Sequence, residues 1–329
     1  MIAAFALVSV ALALAWRGHL VLANADWTVR LPRLGVIAWQ AVSWSALFSV
    51  VLAGIALALP TLPFGTTDNG AAFLGVCAFL VREHYDSPGG FLVAVFGAGI
   101  ALAVTARALS CLVSSLWNVG RIRARQRTAI SLIARVDAAT GVMLIDDPRP
   151  AVYCMPGRVP VVVMTSGAAQ SLTGSQLATV LAHERAHLEG RHDMALVGSG
   201  ALQRAFPFVP LFGHADKHVA ALLEMRADDR ALQAGDRMTL ATALVRLAQG
   251  TTPMGALGAG GETALVRVRR LVTPPAQVTR VRRGLIVAAI SAVLATPLLI
   301  AAAPAAEAVL LDYCPVWMHG PGPSSASQS

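Results

Sequence analysis

The stretch from Leu177 to Asp193, LATVLAHERAHLEGRHD, carries His183-Glu184-Arg185-Ala186-His187, an HExxH pattern in an apolar helical background. Residues four apart on a helix lie about one turn up the same face, so the two imidazoles are placed to offer nitrogen atoms to one metal ion. Glu184 lies beside them. In that arrangement two His bind zinc and the carboxylate takes a proton from zinc-bound water, producing the nucleophile that attacks a peptide carbonyl. The same five residues also occur as two surface His on an amphipathic helix, so their weight depends on what else the chain supplies.

A helix is expected here on independent grounds. Thr173 and Gln176 form a T-x-x-Q capping box, Leu172 and Leu177 flank it as a hydrophobic staple, and Gly190 is placed to end the helix. Leu177, Leu181 and Leu188 fall on one flank beside the His pair, which sets the ligand face at the border of core and cleft.

A catalytic zinc keeps three protein ligands and leaves the fourth position to water. Glu224 stands 37 residues beyond His187 in ALLEMRADDRAL, a second helical pattern, with Asp228 four residues on along the same face. Taken alone, the two acids read as a solvated face in a basic protein. Glu-x-x-x-Asp after HExxH resembles the glutamate-zincin (gluzincin) arrangement. That resemblance implies Zn2+ as cofactor, Glu224 as third ligand, and Asp228 as the acceptor that fixes the orientation of a ligand imidazole. Zincin proteases also commonly bind an extended substrate along a sheet edge beside the metal helix.

The elements that must position these residues sit in an unusual composition. Of 329 residues 56% are hydrophobic and 13% charged, and the mean hydropathy is +0.63, values that mark a membrane protein. The formal charge is +8, yet only Lys217 among 26 Lys and Arg is a lysine, and the arginines are not interleaved with aromatics. No direct nucleic-acid partner is expected; the lipid bilayer is.

Four spans are expected: Met1 to Trp16, Leu34 to Leu59, Phe91 to about Trp117, and Gly284 to about Ala303, each close to the 20 or so residues that cross the hydrocarbon core. Ala23-Asn24-Ala25 resembles a cleavage site, but no positive charge precedes the first apolar run, so it reads as an uncleaved span. Ala71 to Val81 is too short to span and reads as interfacial. Arg17, Arg30 and Arg33, then Arg121, Arg123, Arg125 and Arg127, then Arg280, Arg282 and Arg283 all fall on one side. The positive-inside rule places that side in the cytoplasm and both termini outside the cell membrane. The expected organisation is three transmembrane helices in 1–117, a cytoplasmic α+β zincin domain in 118–283, a fourth helix in 284–303 and a short outer tail in 304–329.

Within the cytoplasmic segment Thr128 to Ala139 reads as a helix, and Ala151 to Met155 with Val159 to Thr165 reads as a hairpin about Pro156-Gly157. Val159 to Thr165 is the expected substrate rail, against the plainer reading of a core hairpin. His192, His214 and His218 are candidates for stabilising an oxyanion, although a helix-end or surface His is the commoner case. Cys111 falls in a span and Cys154 in the hairpin, where a reduced thiol is expected, with a thiolate that occupies the zinc in a latent state as the alternative. Cys77 and Cys314 share the outer side, within reach of pairing.

Three spans, an HExxH helix, an ExxxD helix and a fourth span together resemble the BlaR/MecR-type family of membrane metallopeptidases, with His183, Glu184, His187 and Glu224 in the family's places and Asp228 as support. The family's best-known members sense β-lactams and inactivate a winged-helix repressor. Those sensors carry a penicillin-binding domain with S-x-x-K and K-T-G motifs after the last span, whereas 26 residues follow Ala303 here. The resemblance therefore implies the protease half: Glu184 as general base and a cytoplasmic protein substrate, plausibly a transcriptional repressor. An HtpX-like quality-control protease and a non-catalytic membrane scaffold remain alternatives.

Overall fold

A computed structural model describes residues 2–59, 90–137, 140–250 and 260–312. The fold is mostly helical. In chain order it holds α1 (Ile2–Ala23, with a π-helical turn at Leu14–Gly18), α2 (Trp27–Arg30), α3 (Pro32–Ala58), α4 (Gly90–Ile133), strands β1 (Arg135–Val136), β2 (Met143–Ile145), β3 (Val152–Met155) and β4 (Val161–Thr165), then α5 (Ser166–Ser171), α6 (Gly174–Glu189), α7 (His192–Ala205), α8 (Pro210–Ala231), α9 (Arg237–Gly250), α10 (Gly260–Val272) and α11 (Arg280–Asp312). Four of these, α1, α3, α4 and the Arg280–Pro304 part of α11, are long and apolar enough to cross a membrane.

The helices outrun the expected spans. α1 continues past Trp16 through its π-turn, and α11 continues past Ala303. The separate helix expected over Thr128 to Ala139 is the end of α4: the chain stays helical to Ile133 and is then extended in β1. No Pro or Gly interrupts the sequence between Trp117 and Ile133 except Gly120, so nothing breaks the helix where the apolar run stops. At 44 residues, and about 1.5 Å per residue, α4 is roughly twice as long as a bilayer core is thick. The run Ala71 to Val81, the pair Cys77 and Cys314, and the tail beyond Asp312 lie outside the described residues.

The chain divides into two compact units. The first comprises Met1–Ala15, Ala41–Arg107 and Ala289–Ser329. It packs through small residues: Ala4 meets Ala56, and the Ser45 hydroxyl donates to the Val293 carbonyl at 2.8 Å. A Cβ on Gly54 would stand 2.5 Å from the Gly97 carbonyl oxygen, so α3 and α4 cross with their backbones in contact, a packing that glycine permits in apolar helices.

The second unit comprises Trp16–Gln40 and Ala108–Ala288 and contains the sheet, in the order β1-β2-β4-β3. β2 and β4 are parallel, while β1–β2 and β3–β4 are antiparallel, with Met155 opposite Val161. The hairpin is therefore present, but β4 is an inner strand, paired on both sides. That removes it as a rail for an extended substrate, because its hydrogen-bonding groups are already used. The unbroken apolar run VVVMT is what a strand buried on both faces looks like. The edge strands are β1 and β3; on β3, half-buried Val152 and Cys154 flank exposed Tyr153. α6 packs on this sheet: Leu181 joins Val142, Val162, Met164 and Ala168 in one apolar cluster.

α6 begins as its sequence predicts. The Thr173 side chain accepts from the Gln176 N–H and the Gln176 side chain accepts from the Thr173 N–H, completing the capping box, with Leu172 and Leu177 packed in one cluster. Thr173→Ala removes half of that reciprocal pair and should cost about 1 kcal/mol of stability, with Thr173→Ser close to neutral. Thermal denaturation of the two variants checks this; equal midpoints would show that the cap contributes nothing.

Candidate metal centre

α6 and α8 are the two helices that bring the chemistry-bearing side chains together. On α6, His183 and His187 point from successive turns, their Nε2 atoms 3.1 Å apart. On α8, Glu224 faces both: Oε2 lies 3.5 Å from His183 Nε2 and Oε1 lies 3.5 Å from His187 Nε2. Two ligands about 2.0–2.1 Å from a tetrahedral zinc stand about 3.3 Å from each other, so these three edges fit one zinc. The donor set, two imidazoles and a carboxylate, suits the ion, and the three ligand atoms all lie within 4.8 Å of one another.

Each of the three candidate ligands is held from behind. His183 turns its other nitrogen, Nδ1, to Asp228 Oδ1 at 3.1 Å. Asp228 is 1% exposed and is gripped by Arg267, whose Nε and terminal nitrogen donate at 2.9 and 2.7 Å. The remaining Arg267 nitrogen stands 2.8 Å from Glu224 Oε2. His187 places its Nδ1 2.9 Å from His192 Nδ1, with His192 only 2% exposed. His192, one of three candidates for facing an oxyanion, is thus placed to orient the His187 ring. Gly190 makes this possible, since a Cβ there would lie 2.5 Å from the His192 ring. His214 and His218, the other two candidates, stack on His19 and Trp39, with ring centroids 4.6 and 4.7 Å apart. They pack α8 against Trp16–Gln40 and contribute nothing to the metal group.

The electrostatics follow from burial set against these contacts. Burial pushes the Glu224 carboxyl up, but the hydrogen bond from His183 and the Arg267 guanidinium outweigh it and hold the carboxyl near 2. Asp228 lies near 2 for the same reasons, with Arg267 first among the opposing groups. Burial alone would lower His183, yet its hydrogen bonds to Asp228 and Glu224 raise it to about 9. His187, without a carboxylate at its back, is carried down to about 4 by burial. Glu184 is raised, burial being the largest cause. Its neighbour is Cys154 of β3, whose thiol donates to the Glu184 carboxylate and is pushed up to about 12, first by burial and then by that carboxylate. In this position the thiol is engaged with Glu184.

The sequence does not single out Arg267, and it offers His192 and Cys154 only for other roles. Arg267 had a signal: it lies in an apolar-periodic stretch one turn before Leu271, which is buried, so an arginine was directed inward. The His192 and Cys154 contacts had none, since only the fold brings them to His187 and Glu184.

The family model described as peptidase family M48 matches residues 120–222, about a third of the chain, spanning the end of α4, the sheet, the HExxH helix and α8 up to two residues before Glu224. The match indicates a zinc metallopeptidase. No curated protein and no solved structure matches the chain.

Because zinc needs the free lone pair of His183 Nε2, and His183 in the metal-free protein is held at about 9, binding at neutral pH should expel one proton. His187, at about 4, is already neutral and releases none. The logarithm of apparent zinc affinity should therefore rise by about one per pH unit from about pH 6 and flatten near pH 9. Competition against a chelator across this range measures it; a flat profile would contradict the assignment. His183→Ala and His187→Ala should each lose the metal.

Proposed function

We propose that the chain is an integral-membrane zinc endopeptidase that cleaves a cytoplasmic protein as a signalling step, on the lines of the BlaR/MecR-type protease half. The observation that carries this reading is the meeting of His183, His187 and Glu224 at tetrahedral spacing, with Glu184 beside them, in a chain with four membrane-length apolar helices.

Zinc held by His183, His187 and Glu224 would polarise a carbonyl and lower the pKa of water. The chain's own residues do the rest. Glu184, raised by burial, is placed to accept a proton from the attacking water and to pass it to the leaving amine, the two halves of general acid–base work. The Cys154 thiol, as donor, fixes the orientation of that carboxylate. Asp228 holds His183 with Nε2 facing the metal position, and Arg267 offsets the charge of Asp228 and Glu224, so that three carboxylates coexist in one site.

The substrate rail in this reading is β3, not β4: β3 packs against α6, and its outer edge pairs with no other strand among the described residues. An extended segment added there would run past Glu184 and the metal group. The arginine distribution supports a cytoplasmic catalytic segment with both termini outside, and a repressor-like substrate follows from the family resemblance.

The different jobs of the two glutamates supply the test. Glu184→Gln should keep zinc and fold while losing about 10²–10⁴-fold in rate. Glu224→Ala should lose zinc as well, and Asp228→Ala should weaken zinc binding about 10–100-fold, between the unchanged binding of the one and the loss in the other. Zinc content is read alongside cleavage of cytoplasmic proteins by mass spectrometry. If Glu184→Gln cleaves or signals as well as the unmodified protein, the peptidase reading yields to a scaffold; accumulation of damaged membrane proteins in its presence, without a discrete regulatory target, would point to quality control.

Topology is tested separately. A reporter fused near residue 250 should behave as cytoplasmic and one after Ser329 as external; the reverse pattern would turn the catalytic segment outward.

A further inference from the structure

Behind the metal helix lies a cavity of about 460 Å³ that the peptidase reading does not use. Its walls come from the end of α2, the first turn of α3, α8, the C-terminal end of α6, the start of α7 and the start of α11, and they carry Arg30, Arg33, Arg226, Arg230 and Arg283. Two acids also line it, and each is taken: Glu189 by Arg230 at 3.3 Å and Asp229 by Arg270 at 2.7 Å. Arg30, Arg33, Arg226 and Arg283 make no ion pair with any described residue. Arg33 and Arg230 act on Arg226 as like charges.

Like charges converging on one concavity repel unless an anion joins them, and guanidinium forks match the oxygens of a phosphate in pairs. The first turn of α3 adds the positive end of a helix dipole and N–H groups without helical partners. The volume is that of roughly fifteen water molecules, ample for a phosphodiester. Two of the walls are the leading residues of apolar, membrane-length helices, α3 from Pro32 and α11 from Arg280. Those are the positions at which a spanning helix meets the headgroup layer on the arginine-rich side, where basic pockets between helices take anionic headgroups.

We infer that this cavity binds the phosphate of an anionic lipid headgroup, held by Arg30, Arg33, Arg226 and Arg283. The inference rests on the membrane part of the proposed function but not on its proteolytic part. Occupancy would also reach the metal group: His192 lines the cavity and hydrogen-bonds the ligand His187. The headgroup thus sits one side chain away from the zinc ligands.

The test uses the full chain in nanodiscs of phosphatidylcholine alone or with phosphatidylglycerol, with bound lipids counted by native mass spectrometry. The unmodified protein should retain phosphatidylglycerol in preference to phosphatidylcholine. Arg33→Gln and Arg226→Gln should each weaken that retention about fivefold, while Arg226→Lys, which keeps the charge, should retain more than Arg226→Gln. Arg33 is exposed, so its variant reads the site even if Arg226→Gln does not fold. Glu184→Gln should retain lipid normally, which separates this result from any failure of the peptidase reading. Inorganic phosphate, added to phosphatidylcholine discs, distinguishes the source: a raised melting temperature without lipid preference would keep the phosphate site and make its ligand soluble. Equal retention of both lipids together with no phosphate effect overturns the inference. So does lipid preference untouched by either arginine substitution, or binding of an acidic peptide with no response to phosphate.

Discussion

A carboxylate buried as deeply as Asp228, 1% exposed, is tolerable only if its charge is answered on more than one side. Arg267 supplies one side with a two-pronged grip and His183 supplies the other. The metal group depends on this arrangement. Without Arg267 the site would hold Glu184, Glu224 and Asp228 close together with nothing permanently positive among them. Without Asp228 the His183 ring would lose the contact that aims Nε2 at Glu224 and His187. Removing one partner of such a set costs more than the set contributes as a whole, because the other is left charged and unpaired.

The second candidate ligand, His187, is held by a different device. Between α6 and α7 the backbone turns within two residues: Gly190 ends the helix, and Arg191 takes φ 46°, left-handed. A non-glycine residue in that region costs about 1–2 kcal/mol. The turn brings His192 back under His187, and Gly190 leaves room for the ring. Local strain is thus located where it delivers an orienting side chain to a ligand, as strained residues at functional sites commonly do. The two imidazoles come out with opposite proton affinities, His183 high and His187 low: burial lowers both, and in His183 alone the Asp228 and Glu224 carboxylates outweigh it.

Residues Trp16–Gln40 belong to the same compact unit as the metal group. The Gln40 amide donates to the Ala195 carbonyl at 3.1 Å, Trp39 stacks on His218, and Arg270, while pairing with Asp229, donates to the Val29 carbonyl at 3.1 Å. α7, α8 and α10 are therefore seated on the opening part of the chain rather than on one another alone. Arg30, Arg33 and Arg283, three of the arginines that read as a topology signal along the sequence, meet Arg226 and Arg230 of α8 in one cavity wall.

What the sequence determined by itself were features set by local periodicity. The four-residue spacing of His183 and His187, the Thr173 cap, the apolar runs of membrane length and the strand pair about Pro156-Gly157 all follow from interactions within a few residues, and each is found in the fold. What only tertiary structure decided were contacts between distant segments. Val161–Thr165 is an inner strand because β2 pairs with its other side, so the free edge passes to β3; strand order depends on which elements meet, and alternation along one strand does not record that. Arg267 lies 43 residues beyond Glu224 and reaches the site because α10 brings it to α8. His192 meets His187 because a left-handed turn at Arg191 points it back at that ring. Sequence spacing constrains a side chain's direction over one or two turns; beyond that, burial of apolar faces sets positions, and the polar residues carried along must pair with whatever charge they meet.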